Sequence, residues 1–282
     1  MTAAAAPAAI VPARPAWRSL LWIVPLTLLW IALIYWQPVI AASGVPTTAV
    51  RLMTYALIGV GLWLGLEAAS LTPIQRRTTW LAVMVPFLLW AAVAWSLAIN
   101  GVFRTGSPPP PLPLLPLAVF LPVIIGAPLL LLSKRVGQVL DAMPVTWLIA
   151  LQLYRVFGSV FFVGWLRGVL AGAGAVAGIG DVLTGLFAVP AAIAMATGTP
   201  EGRTAAIAWN IFGLADFAVA LALGLITTPG RFQLIVPDLP SIGAGDYPNV
   251  LTPAFVVPSS ILLHALSLRQ LRRRSRAEVA RR

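Results

Sequence analysis

Apolar runs of about 20 residues recur along nearly the whole chain, and a run of that length is what a helix needs to cross the hydrocarbon of a bilayer. Eight can be marked, over residues 19–40, 50–70, 80–99, 114–133, 145–166, 179–197, 205–227 and 251–268. Only 10% of the 282 residues are charged, against roughly 25% in a soluble domain, so the chain lacks the polar surface to meet water. In hydrocarbon every backbone N–H and C=O must be paired without water, and a helix of this length does so within its own segment. The expected fold is therefore all-α, a polytopic transmembrane helix bundle of about eight spans. Its single membrane domain covers 19–268, between an N-terminal segment, 1–18, and a basic tail, 269–282. The first run, Ser19 to Ile40, exceeds the roughly 7–15 apolar residues of a signal peptide. It also carries Trp22, Tyr35 and Trp36 near its ends, as a span does at the two interfaces.

The net charge of +11 does not point to nucleic acid, because the positive residues form short clusters between apolar runs rather than one basic face. Arg14, Arg18, Arg76, Arg77, Lys134, Arg135, Arg203 and the tail (Arg269, Arg272, Arg273, Arg274, Arg276, Arg281, Arg282) all fall on one side of the expected topology. The other side holds Arg51, Arg104, Arg167 and Arg231, and Arg155 lies within a span. The positive-inside bias makes the crowded side cytoplasmic, with both termini inside. The arginine-, alanine- and proline-rich composition suits a GC-rich bacterial genome, hence the bacterial cytoplasmic (inner) membrane. The partners expected are the lipid bilayer and, at the basic tail, anionic lipid headgroups. With no cysteine, disulfides and thiolate chemistry are excluded, and no cofactor or metal site is expected.

Three segments depart from plain helix. Residues 107–116 are proline-rich and favour polyproline II, as a stiff spacer or a partner-binding stretch. Pro122 and Pro128 should kink the fourth span. Residues 228–250 form the longest external connection, an ordinary loop or a lid. Between 164 and 180, Gly164, Gly168 and Gly172 are spaced by four, as are Gly174 and Gly178. On one helix, that spacing aligns glycines on a face where two backbones can approach; so many glycines also weaken a helix, leaving a broken or re-entrant segment as the alternative. A short internal similarity links Gly178–Leu186 with Gly213–Leu221, and it aligns Asp181 with Asp216.

The polar residues within spans concentrate in the second half, 145–268: Gln152, Arg155, Asp181, Asn210, Asp216 and His264. An ionisable residue in hydrocarbon costs at least about 2.5–3.5 kcal/mol and usually faces a bundle interior or a water-filled cavity. Counting helix rise from the cytoplasmic ends puts Arg155 and Asp216 both at about 16 Å, and Asn210 and His264 both at about 6–8 Å. Two layers are expected, an Arg155–Asp216 pair above an Asn210–His264 pair, with Asp181 about 8 Å nearer the exterior. The six form a substrate or proton path, or they hydrogen-bond between helices for structural reasons alone. Ser260, His264 and Ser267 share a helix face, but neighbours on one helix do not give the geometry of a serine–histidine dyad, and no nucleophile motif occurs. Catalysis is not expected.

The segments Gln152-x-Tyr154-Arg155-x-x-Gly158, Gly178-x-Gly180-Asp181, Trp209-Asn210-x-x-Gly213-x-x-Asp216 and Pro258-x5-His264-x-x-Ser267-Leu268 resemble a pattern in uncharacterised bacterial multi-span inner-membrane proteins. The resemblance covers about 145–268 and implies no activity. Two function classes follow from the residues: a carrier or channel for a small solute or proton, or a non-transporting scaffold. Reporter fusions test the topology. They should read cytoplasmic near Arg76, Lys134, Arg203 and the C-terminus, and external near Pro110 and Asp238; an external C-terminus overturns the count of eight.

Overall fold

The computed structural model describes residues 45–104, 114–168, 170–239 and 245–279. Among them there are helices and no strand: α1 Val45–Ala68, α2 Pro73–Ile99, α3 Leu114–Leu132, a short α4 Lys134–Ala142, α5 Thr146–Leu166, α6 Gly172–Ala196, α7 Pro200–Thr227 and α8 Val257–Val279. Six helical stretches are long and apolar enough to cross a membrane: α2, α3, α5, α6, α7, and Thr252–Arg276, which contains most of α8. They coincide with six of the eight expected spans. The second expected span falls on α1; the first lies outside the described residues, as do residues 107–113 of the proline-rich stretch. Large apolar side chains project outward from α3, among them Ile124, Leu129 and Leu132 (66%, 68% and 81% exposed), and lipid, not water, is the medium in which such a surface is stable. This is the architecture of a multi-pass membrane protein.

Local signals fix the helix ends on the arginine-rich side. Thr72 and Gln75 form a reciprocal capping box before α2, with Pro73 in the first helical position. Thr199 accepts from the Gly202 N–H before α7, again followed by a proline. These residues satisfy N–H groups that the helix itself cannot. The helix α4 buries Val136, Val139 and Leu140 and is pinned by α8: Gln270 donates to the Leu140 and Met143 carbonyls, and Arg273 binds Asp141 with two nitrogens. The Arg273 hydrogen bond outweighs burial and holds the Asp141 carboxyl below its usual range. That contribution to folding is present at neutral pH and fades as pH falls through the lowered titration.

The bundle is organised around α6, which packs against α5 on one side and α7 on the other, while α8 packs on α7, α3 and α4. One apolar cluster, at the arginine-rich end, joins α1, α4 and α5 to Ala188, Ala192, Trp209 and Leu263. A second joins the end of α2 and the start of α3 to Val250–Phe255. Between them the middle of α5, Leu151–Gly158, winds as a 3₁₀ helix and is almost wholly buried. The 3₁₀ form is thinner and rises about 2.0 Å per residue. It lies so close to α6 that a methyl group on Gly185 would strike the backbone of Val156, and one on Gly178 would lie 2.7 Å from the Gly158 carbonyl oxygen.

The glycine-rich segment corrects an expectation. Gly164, Gly168 and Gly172 do not share a helix face, because α5 ends at Leu166 and α6 begins at Gly172. Gly168 takes φ +67° and its N–H bonds the Trp165 carbonyl, the left-handed termination that glycine adopts without a Cβ penalty. Nothing lies within 4 Å of a Cβ at Gly168, and at Gly172 and Gly174 only a side chain at 3.8 Å. Gly164 faces the side chain of Leu170 within the same turn. Of the five, Gly178 alone makes the close backbone contact that the spacing suggested. The prolines at 122 and 128 leave α3 continuous.

Opposite signs are therefore expected for two alanine substitutions. Gly178→Ala forces α5 and α6 apart and should lower the melting midpoint in detergent, by the equivalent of about 1–3 kcal/mol. Gly174→Ala meets only ordinary contact and should leave the midpoint unchanged or raise it.

Candidate functional site

Arg155 stands in the 3₁₀ segment of α5 with its side chain 1% exposed, and three other helices converge on it. Its Nε donates to Asp181 Oδ1 of α6 at 2.7 Å. Its Nη2 donates to Asp216 Oδ2 of α7 at 2.5 Å. Its Nη1 donates to the Gly213 carbonyl at 3.2 Å and lies 3.0 Å from His264 Nε2 of α8. The face of the guanidinium covers the Phe217 ring, 3.8 Å from its centroid. Four of the five N–H groups are thus accounted for, with a cation–π contact besides.

A chain of bonds runs on from this centre. A guanidinium nitrogen can only donate, so His264 Nε2 accepts and the ring proton sits on Nδ1. That proton points at Asn210 Oδ1, 3.0 Å away. The Asn210 amide nitrogen then donates to the Ala206 carbonyl at 2.8 Å and to Ser267 Oγ at 3.1 Å. The His264 ring packs against Trp209 and Phe217. Both ring nitrogens are engaged, and neither by Ser260, so the three polar residues that share a face of α8 do not form a dyad. Ser260 donates to the Val256 carbonyl and accepts from the Tyr154 hydroxyl; its own carbonyl accepts from Gln152 Nε2 at 3.0 Å.

Of the six polar residues expected together, five form one network: Arg155, Asp181, Asp216, Asn210 and His264. The pairing of Arg155 with Asp216 is as the depth arithmetic expected, but the two layers are joined, and Asp181 is a second partner rather than a rival. Depth counted along helix axes compares backbone levels only; the 3₁₀ rise over Leu151–Arg155 closes about 2–3 Å of the gap to Asp181, and the long arginine side chain spans the rest. The sixth, Gln152, sits one 3₁₀ turn from Arg155 and bonds α8 separately. The two aspartates aligned by the internal similarity meet on the same guanidinium.

Sequence reasoning passed over three glycines that make this possible. A Cβ at Gly180 would occupy the space of the Asp216 carboxylate, and one at Gly158 that of Asp181. At Gly213 it would lie 2.5 Å from His264 Nε2 and 2.9 Å from Arg155 Nη1. All three stand in the motifs quoted for the family resemblance, beside the charged residues they accommodate. That position was the available signal.

Asp181 and Asp216 also line a cavity of about 240 Å³. Its walls are small residues of α6 and α7 (Ala173, Gly174, Ala177, Ala220, Gly224) and aromatic ones (Phe103, Phe161, Phe217, Phe232). Residues 228–232, Gly245 and Asn249 of the long connection line it as well, so this loop belongs to the cavity. An exposed ion pair, Arg104 Nε to Asp246 Oδ1 at 3.1 Å, ties the loop to the end of α2. A smaller hollow, of about 20 Å³, shares Asp181, Phe217, Thr252 and Val257 with the cavity and reaches inward to Arg155, Tyr154 and Ser260. Thr252 lines both hollows, and its hydroxyl is buried without a hydrogen-bond partner.

Residues 111–272 match the family model described as Domain of unknown function (DUF8737), which takes in α3 to α7, most of α8 and every residue of the polar network. No curated protein and no solved structure matches the chain.

Removing either carboxylate leaves Arg155 paired with the other, whereas removing Arg155 strands two carboxylates together. Stranding a buried charge typically costs about 3–5 kcal/mol. Arg155→Leu should therefore fold poorly in detergent, while Asp181→Asn and Asp216→Asn each melt within a few degrees of the parent. Equal losses for all three would mean that both ion pairs are needed together.

Proposed function

Because the chain belongs to the family of the domain of unknown function DUF8737, and membership brings no activity with it, we propose from its own geometry that it is a membrane carrier for a small solute. The solute occupies the cavity above Asp181 and Asp216. The observation that carries this reading is that an open, largely apolar cavity ends on two carboxylates bound to a buried guanidinium. Ligand sites are concave and mostly apolar with a few convergent polar groups, and charges at membrane depth mark substrate and ion paths. A scaffold needs no such cavity, and a buried ion pair is a poor way to gain stability.

The topology that goes with this function has eight spans: the six long apolar stretches, α1, and residues 19–40. Both termini face the cytoplasm of a bacterium, and the arginine-rich tail lies against anionic lipid headgroups of the inner membrane. The cavity is lined by the ends of helices opposite the arginine clusters, so in this orientation it opens to the exterior. Carriers expose a central site to each side in turn.

The absence of cysteine makes the test clean. Ala220 lines the cavity one helical turn from Asp216, and Ala188 is fully buried. In intact cells, Ala220→Cys should react with a membrane-impermeant maleimide far faster than Ala188→Cys. In inverted vesicles it should also react, more slowly. No reaction from either side removes the cavity; reaction from the outside alone overturns transport.

A further inference from the structure

The floor of the cavity carries an unbalanced charge. Asp181 from α6 and Asp216 from α7 line it, and bonded beneath them are Arg155 and Tyr154 from α5 and His264 from α8. His264 accepts from a guanidinium and is neutral, and Tyr154 donates to Ser260, so the sum is one cation against two carboxylates. Arg104 is occupied by Asp246 at the rim. Arg231 lines the mouth and is exposed; it follows α7, and Asp216 lies eleven residues before the end of that helix, about 16 Å along its axis. Exposed at the mouth, in contact with water and salt, its charge is screened.

Unused bonding capacity matches the charge. Arg155 takes one oxygen from each carboxylate. Among the described residues Asp181 Oδ2 and Asp216 Oδ1 accept no hydrogen bond. Thr252, 8% exposed, has a hydroxyl with no partner. Two carboxylate oxygens and a hydroxyl oxygen are three acceptors, and an ammonium group has three N–H donors. The walls above are apolar and aromatic, suited to the body of such a molecule.

Resting on the carrier reading above, we propose that the cavity takes an organic monocation, a protonated amine with a small apolar body, and that it binds in exchange for a proton. A medium of low dielectric does not hold the surplus negative charge unneutralised, so the position is filled either by a proton on one carboxylate or by the ammonium. When the amine arrives, the carboxyl O–H breaks, its electron pair stays on the carboxylate, the proton leaves through the cavity, and the ammonium takes its place. No charge is gained or lost. Asp181, Asp216 and Thr252 hold the ammonium, and Arg155 positions both carboxylates.

The test uses full-length Ala220→Cys protein in nanodiscs and follows protection from the maleimide. The probes are benzylamine, phenethylamine, cyclohexylamine and hexylamine, each against the alcohol and the carboxylate of the same skeleton. Primary amines, like the lysine side chain with its pKa near 10.4, stay protonated throughout the range used. At least one amine should protect at a tenfold lower concentration than its alcohol. Its protection should strengthen from pH 5.5 to pH 8, as the competing proton is depleted. In Asp216→Asn, or in Asp181→Asn should the first fold poorly, both the preference and its pH dependence should vanish. Amines no better than alcohols, carboxylates that protect best, or protection flat with pH each overturn the proposal even without a variant. A cysteine that reacts freely but shows no cation preference sinks this proposal alone; one that never reacts sinks the carrier reading with it.

Discussion

A guanidinium held between helices in hydrocarbon has to be surrounded by acceptors, and much of the second half of the chain is arranged to meet that demand at Arg155. Asp181 of α6, Asp216 and the Gly213 carbonyl of α7, and His264 of α8 supply the acceptors. To bring them within about 3 Å, α5, α6, α7 and α8 must approach more closely than ordinary side chains allow. Glycine solves this at each crossing, with Gly158 and Gly180 leaving room for the carboxylates and Gly213 for His264 and the guanidinium. The 3₁₀ winding of α5 serves the same end, since a thinner helix can lie directly on α6.

The same demand accounts for the cavity. Two carboxylates sharing one cation cannot both be neutralised by it, and a dry, closed pocket would leave the remainder without solvation. Around the inner parts of Asp181 and Asp216 the packing is dense, but toward the ends of α6 and α7 it opens into a space walled by alanine, glycine and phenylalanine. Side-chain size makes the difference along each helix. Small residues that pack tightly against a neighbouring backbone at Gly178 and Gly185 leave space where no other helix stands close, at Gly174 and Gly224.

That contrast explains how much of the site could be read in advance. Arg155, Asp181, Asn210, Asp216 and His264 were recognisable because a polar side chain in an apolar run is conspicuous one residue at a time. The partnership of Arg155 with Asp216 followed from depth alone. Asp181 falls on another level when backbone depth alone is counted; the 3₁₀ rise in α5 removes part of that gap, and the reach of the Arg155 side chain closes it. The glycine stripe from Gly164 to Gly172 failed for a related reason: a four-residue spacing has meaning only on an unbroken helix, and Gly168, in the left-handed conformation, ends that helix. Gly158, Gly180 and Gly213 fall outside the four-residue spacing, so no helical periodicity marks them as glycines.

Sequence alone determined that this chain is helical, that it belongs in a membrane, and where its costly polar residues lie. Those properties depend on transfer free energies that add along the chain, residue by residue, whatever the neighbours in space. Only the tertiary structure decided that Asp181 and Asp216 share one guanidinium, that His264 is bound at both nitrogens, and that a cavity opens above the carboxylates. Each of these depends on distances of a few ångströms between helices, set by which glycine faces which backbone, and no periodicity in the sequence encodes that relation.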